Sequence, residues 1–212
     1  AGLLTLAQAI SVIMGANIWQ LGEEAAAAAN GQEPGDIKVQ DVDGNGVITT
    51  DDRIIYSQRP DVTFGFNNTF NYKGFDLSVF LYARLGQWIA YDYNTTYRIN
   101  ALENGGNVDY WTPENPTNAF PCPNKSKSYT QVTYYSTLKY EDGSFFKIRD
   151  ITLGYTFKPE LLKHLNLSKL RVYATAKNFF TFSKIDNYDP EQGGSISFPM
   201  TKQLVFGLNV EF

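Results

Sequence analysis

Residues 203–212, the last ten of the chain, read QLVFGLNVEF. Every second residue of this stretch is large and apolar: Leu204, Phe206, Leu208, Val210 and Phe212. The residues between them are mostly polar or small. Because side chains alternate between the two faces of a β-strand, the pattern predicts a strand with one apolar and one polar face.

The same alternation recurs upstream and predicts strands at 62–71, 75–83, 145–157, 169–182 and 202–212. These runs are near the ~9–11 residues that cross a bilayer on a tilt, whereas a soluble strand typically has ~5–6. Helix signals are confined to 23–30 and to one turn at 159–165. The chain is therefore predicted to be all-β and to cross a membrane with its strands.

The connections alternate in length along the chain. Residues 71–74 form a tight turn and 158–168 a short one, whereas 83–144 and 183–201 are long. Outer-membrane β-barrels have short periplasmic turns and long extracellular loops. The pattern predicts an antiparallel transmembrane β-barrel with these long loops outside the cell, in strands spanning 62–212. Since five strands are fewer than the ~8 of the smallest barrels, they are predicted to belong to a larger one.

Composition excludes several classes of function. The chain of 212 residues has a net charge of -4 and no basic run, which argues against nucleic acid as a partner. Aromatic residues make up 15% while mean hydropathy is -0.30, as in barrels with half-apolar strands and aromatic girdles. The single histidine, His164, has no evident catalytic partners, so we predict neither an enzyme nor an organic cofactor.

Residues 34–61, predicted to be an extracellular loop, contain a calcium-type motif, DVDGNGVITTDD at 41–52. Its spacing matches the twelve-residue loop in which oxygen ligands surround Ca²⁺, with Gly46 at the sharp turn and Thr49 offering a hydroxyl or a water. The alternative is a polar surface turn without metal. The other predicted ligands are Asp41, Asp43, Asn45, the carbonyl of Val47, and Asp52.

The long connection 83–144 is rich in aromatic residues set among Asn, Asp and Pro. Aromatic rings beside polar groups suit sugars and protein interfaces, because they combine apolar area with polar tips. The alternative is that the rings pack the loop itself or form part of an interfacial girdle. The residues predicted to contact a substrate or a partner protein are Trp88, Tyr91, Tyr93 and Trp111.

Over residues 34–212 the chain resembles the SusC/RagA-like TonB-dependent outer-membrane transporters, while residues 1–33 match poorly. The resemblance rests on six stretches that occur in family order: PGDIKVQDVDGNGVITTDDR (34–53), GFNNTFNYKGFDLSVFLYAR (65–84), YWTPENPTN (110–118), EDGSFFKIRDITLGYTF (141–157), KLRVYATAKNFFTFSK (169–184) and GLNVEF (207–212).

This resemblance implies about 22 barrel strands in the outer membrane of a Gram-negative bacterium, in contact with its lipid, and a plug domain. It also implies a SusD-like surface lipoprotein as a lid, energy from the TonB complex, and an oligosaccharide, sometimes a peptide, as substrate. The terminal aromatic residue, Phe212, is then expected to act as an assembly signal.

Two other functions stay open at this stage. One is a passive porin or a surface glycan-binding barrel, which would lack energy coupling. The other is a soluble calcium-binding β-domain, which would not need detergent for extraction.

Overall fold

The computed structural model describes residues 9–13, 15–97, 105–126 and 134–212. Over these residues the chain is mainly β, with two short helices, α1 (Glu24–Ala29) and α2 (Pro159–Leu162). No helix in this described part is long and apolar enough to cross a membrane. Both helices lie where the sequence predicts helical turns.

The strands follow one another in the order β1 (Ala9–Ile13), β2 (Gly15–Ile18), β3 (Ile37–Val39), β4 (Arg53–Ser57), β5 (Val62–Tyr72), β6 (Phe75–Leu85), β7 (Trp88–Ala90), β8 (Tyr140–Asp142), β9 (Phe145–Thr156), β10 (Lys169–Ser183) and β11 (Gln203–Glu211). They belong to two compact units. The sheet unit comprises Pro60–Gln87, Gly143–Gln192 and Ser197–Phe212, and the loop unit comprises Ala1–Arg59, Trp88–Asp142 and Gly193–Ile196.

The sheet unit is one antiparallel sheet of five strands in the order β11-β10-β9-β6-β5. These are the five strands that the alternation predicts, and each end agrees within two residues, so the prediction is confirmed. A two-residue turn joins β5 to β6, with φ of 50° at Lys73 and 90° at Gly74. Two positive φ angles match the right-handed twist of a hairpin, which explains the glycine.

The register gives the sheet one apolar and one polar face. Across its five strands, Phe206, Ala174, Leu153, Leu77 and Phe70 are cross-strand neighbours on the apolar face. The row beside it comprises Val205, Thr175, Thr152, Ser78 and Thr69 on the polar face. Because neighbouring rows point to opposite faces, the sheet separates two different environments.

The loop unit is built from three small antiparallel ladders, β1 with β4, β2 with β3, and β7 with β8. Its core consists of Ile18, Ile37, Tyr97 and Trp111, each no more than 4% exposed. In the residues described, the long connection between β6 and β9 thus shares one core with β2 and β3.

Candidate functional site

The polar face of the sheet carries paired charges. The Arg171 guanidinium donates two hydrogen bonds to the Asp76 carboxylate, at 2.9 and 2.6 Å, from β10 to β6. Gly154 of β9 lies between the two side chains, and a Cβ there would be 2.5 Å from each. Nearby, the hydroxyls of Thr152 and Thr175 are 2.8 Å apart. This face is therefore hydrophilic, and these polar side chains are held in place by hydrogen bonds to one another.

A buried lysine fixes part of the 183–201 connection to the polar face. The side chain of Lys147 on β9 is fully buried, with its Nζ 2.5 Å from Asp189 and 2.9 Å from Glu191. Arg149 forms a third ion pair with Glu191 at 3.1 Å. Because a buried charge is tolerated only when it is paired, these contacts hold the turn at Pro190 over the sheet.

The acidic loop is ordered by its own carboxylates. Asp41 accepts backbone N–H groups of Gly44 and Gly46 at 2.7 and 2.8 Å. The fully buried Asp52 accepts those of Thr49 and Val42 at 2.7 and 2.8 Å. The backbone N–H of Thr49, and to a lesser extent that of Val42, stabilises the charged carboxylate. These hydrogen bonds hold the pKa of Asp52 below its ordinary value.

The donor set of this loop has the dimensions of a calcium site. Carboxylate oxygens of Asp41, Asp43 and Asp52 all lie within 4.8 Å of one another. Ligands on opposite sides of one Ca²⁺ are separated by about 4.6–5.2 Å, twice the metal–oxygen distance. The remaining predicted ligands are adjacent in the loop, where the Asn45 amide oxygen accepts the Val47 N–H at 2.7 Å. The three carboxylates therefore fit the ion in type and spacing.

Two of the four aromatic residues predicted to contact substrate or partner are placed inside the loop unit. Tyr91 and Trp111 are each 4% exposed, so neither ring has a free face for a ligand. Trp111 packs in the core, and its indole N–H donates to Gln20 at 2.8 Å. For these two the prediction is corrected, because packing within the loop uses their surface.

The other two aromatic residues keep part of their surface. Trp88 is half-buried and lies against Tyr56, with ring centroids 4.0 Å apart. Tyr93 is also half-buried, and its hydroxyl donates to the Asn107 carbonyl at 3.3 Å. Their contact with a substrate or a lid therefore stays a prediction.

The terminal strand exposes the side chains predicted to face lipid. Phe206 and Leu208 on β11 are 73% and 67% exposed, and Phe212 after its end is 94% exposed. They extend the apolar face of the sheet, as the alternation predicts. The role of Phe212 as an assembly signal stays a prediction.

Sequence reasoning missed Lys147 and its acidic partners. The alternation around 145–157 identifies the faces of β9 but says nothing about a loop more than forty residues later. A buried lysine pairs with whatever acids the tertiary structure brings to it. The only local signal is the acidic pair Asp189 and Glu191 on either side of Pro190.

Proteins similar in sequence match most of this chain. No family model matches it. The chain is 30% identical to TonB-dependent receptor P3 of Formosa agariphila, over 90% of this chain and 20% of that protein. It is 31% identical to the TonB-dependent receptor SusC of Bacteroides thetaiotaomicron, over 81% of this chain and 17% of that protein. The chain thus spans about one fifth of these relatives, which are named as receptors and not as enzymes.

Two solved structures share the fold. That of the RagAB peptide transporter matches 96% of this chain and 22% of the other, with a TM-score of 0.68 at 22% identity. That of the RagAB peptide importer in the open-open state matches 82% and 20%, with a TM-score of 0.58 at 27% identity. From this likeness in sequence and fold, we identify the chain as part of a SusC/RagA-like TonB-dependent transporter, a β-barrel of the bacterial outer membrane.

Proposed function

We propose that the whole protein imports oligosaccharides, or peptides, across the outer membrane with energy from the TonB complex. The observation that carries the proposal is the likeness of 81–90% of the chain to proteins named TonB-dependent receptors. The sheet supports it, since its apolar face suits lipid and its polar face suits a hydrophilic interior. The polar face is called the inner wall from here on.

The substrate is proposed to be an oligosaccharide, with peptide as the second candidate. Hydroxyls and paired charges on the inner wall, such as Thr152, Thr175 and the Arg171–Asp76 pair, suit a ligand rich in hydroxyl groups. Peptide is kept because the RagAB protein of similar fold is a peptide importer.

A SusD-like surface lipoprotein is the proposed partner on the outside. The RagAB importer has been solved in open-open and closed-closed states. With a protein lid that opens and closes over the barrel, the full-length protein would adopt the same two states. Trp88 and Tyr93 are the predicted contact residues that keep exposed surface.

The alternative of a passive porin or a surface glycan-binding barrel differs in its need for energy. The soluble calcium-binding domain is no longer an alternative, because the chain belongs to an outer-membrane barrel. We expect uptake of a fluorescent oligosaccharide by cells carrying the full-length protein to stop when TonB is deleted. Uptake that continues without TonB would contradict active import and favour a porin.

We also propose that the acidic loop binds Ca²⁺ through Asp41, Asp43 and Asp52. Three carboxylates within 4.8 Å support the proposal, since their mutual repulsion is relieved by a divalent cation. A bound ion would supply rigidity to the loop. The protein's own part is to preorganise the ligands through backbone hydrogen bonds to Asp41 and Asp52.

A further inference from the structure

A cavity of about 280 Å³ opens on the inner wall at the end of β10. Its floor is formed by Phe179, Thr181 and Ser183 of the strand. Thr181 and Ser183 lie opposite the buried Lys147 and Phe145 of β9. Its sides come from residues 185–189 and 199–202, on the two arms of the following connection. The volume is close to the lower end of the ~300–1,000 Å³ of small-molecule sites, which suits a ligand of one ring.

The cavity exists because the ladders of β10 are interrupted at this point. Lys177 pairs with Asp150 and Phe180 with Ile148, so Asn178 and Phe179 have no partner on β9. Pairing with β11 ends at Lys177 as well. Asn178 has a φ of 60°, a conformation that asparagine adopts more readily than most residues. Its amide donates to the Thr201 carbonyl at 3.2 Å and so ties the bulge to the opposite side of the cavity.

The bulge leaves one aromatic ring in position for stacking. Phe179 lines the cavity and is 37% exposed. Phe180 beside it lies opposite Ile148 on the lipid-facing side and is 48% exposed. Two adjacent phenylalanines therefore have different surroundings, and only Phe179 can meet a ligand in the cavity. β-Bulges are frequent beside functional sites, because they change the direction in which a side chain points.

The charges around the cavity disfavour an ionic ligand. Asp189 is already paired with the buried Lys147 at 2.5 Å. The remaining lining charges, Asp186 and Lys202, have opposite signs. A lone cation or anion would therefore gain little net attraction. A hydroxyl group can donate to the carboxylate and accept from the ammonium, so polar neutral ligands fit both.

We propose that this cavity, the β10 cavity, binds one sugar ring of the substrate. The ring of Phe179 stacks on the apolar C–H face of the sugar, while Asp186, Asn187 and Lys202 exchange hydrogen bonds with its hydroxyls. The proposal rests on the proposed import function and narrows its substrate to glycans. The loop side of the cavity is fixed because Lys147 anchors Asp189 and Glu191.

The test is equilibrium binding by the full-length transporter in detergent, followed by saturation-transfer NMR. The probes are methyl glycosides of glucose, galactose and mannose. We expect Phe179→Ala to weaken binding of at least one glycoside by about tenfold, the effect of losing one stacking ring. Phe179→Trp, which keeps a ring, should bind like wild type. Phe180→Ala is the matched control and should also bind like wild type, with thermal melting used to verify folding of every variant.

Equal glycoside binding by wild type and Phe179→Ala would overturn the site, and so would equal losses in the two alanine variants. Binding of a tetra-alanine peptide that Phe179→Ala abolishes, without any glycoside binding, would overturn the sugar assignment. Uptake of the fluorescent oligosaccharide by cells lacking TonB is measured separately. Uptake without TonB contradicts active import but leaves the binding result intact, so the two failures are distinguishable.

Discussion

Gly154 is the residue on which the ion pair of the inner wall depends. A methyl group at this position would lie 2.5 Å from Arg171 Nη2 and from Asp76 Oδ1, well inside contact distance. We expect Gly154→Ala to separate the pair and destabilise the barrel by about 1–3 kcal/mol, as overpacking does. Urea unfolding of the full-length transporter measures this. Gly65→Ala on the same wall is the control, since its nearest neighbour would be 3.7 Å away, and equal losses would contradict the prediction.

The two faces of β11 predict opposite responses to an added charge. Leu208 lies on the apolar face and Val205 on the polar face of the same strand. Arginine at Leu208 should cost about 2–4 kcal/mol if the residue lies near the middle of the bilayer, because lipid cannot solvate it. Val205→Arg should cost much less, since water and polar groups surround it. Refolding into lipid vesicles across a urea series gives both values, and similar losses would reverse the assigned faces.

The acidic loop 41–52 is expected to respond to loss of a single carboxylate. Asp43 and Asp51 are both exposed, but only Asp43 belongs to the carboxylate cluster. We expect the full-length protein to bind Ca²⁺ with a dissociation constant of about 10⁻⁴–10⁻³ M, as extracellular sites do. Calorimetric titration with calcium chloride should lose one binding event in Asp43→Asn. Asp51→Asn should titrate like wild type, and identical titrations of wild type and Asp43→Asn would exclude the site.

The alternation of short and long connections along the whole chain predicts the direction of each of the five barrel strands. The turn at Lys73 should be periplasmic and the connection containing Glu114 extracellular. With Cys122 first replaced by serine, single cysteines at these two positions are treated on intact cells with a membrane-impermeant maleimide. Glu114→Cys should react and Lys73→Cys should not. The opposite labelling would invert the topology and remove the basis for an extracellular partner at Trp88 and Tyr93.

The sequence alone determined those features of the protein that depend on neighbouring residues. Alternation with a period of two identifies both faces of β5, β9 and β11, because each side chain's direction follows from its place in the strand. Gly74 marks the hairpin between two alternating runs, since few other residues tolerate positive φ. The acidic loop was recognisable for the same reason, as its ligand spacing is set by the chain itself.

Long-range contacts in the folded chain determine which residues are buried and which distant groups meet. Trp111 and Tyr91 lie in a stretch whose composition is typical of a binding surface, yet packing of the loop unit buries them. Lys147 meets Asp189 and Glu191 across more than forty residues, and the cavity beside them appears where the bulge at Asn178 interrupts two ladders. The adjacent Phe179 and Phe180 interrupt the apolar–polar alternation at this point, but that interruption identifies neither the partner strands nor the cavity. Register and loop packing are set by long-range contacts, and those contacts determine the shape of the inner wall.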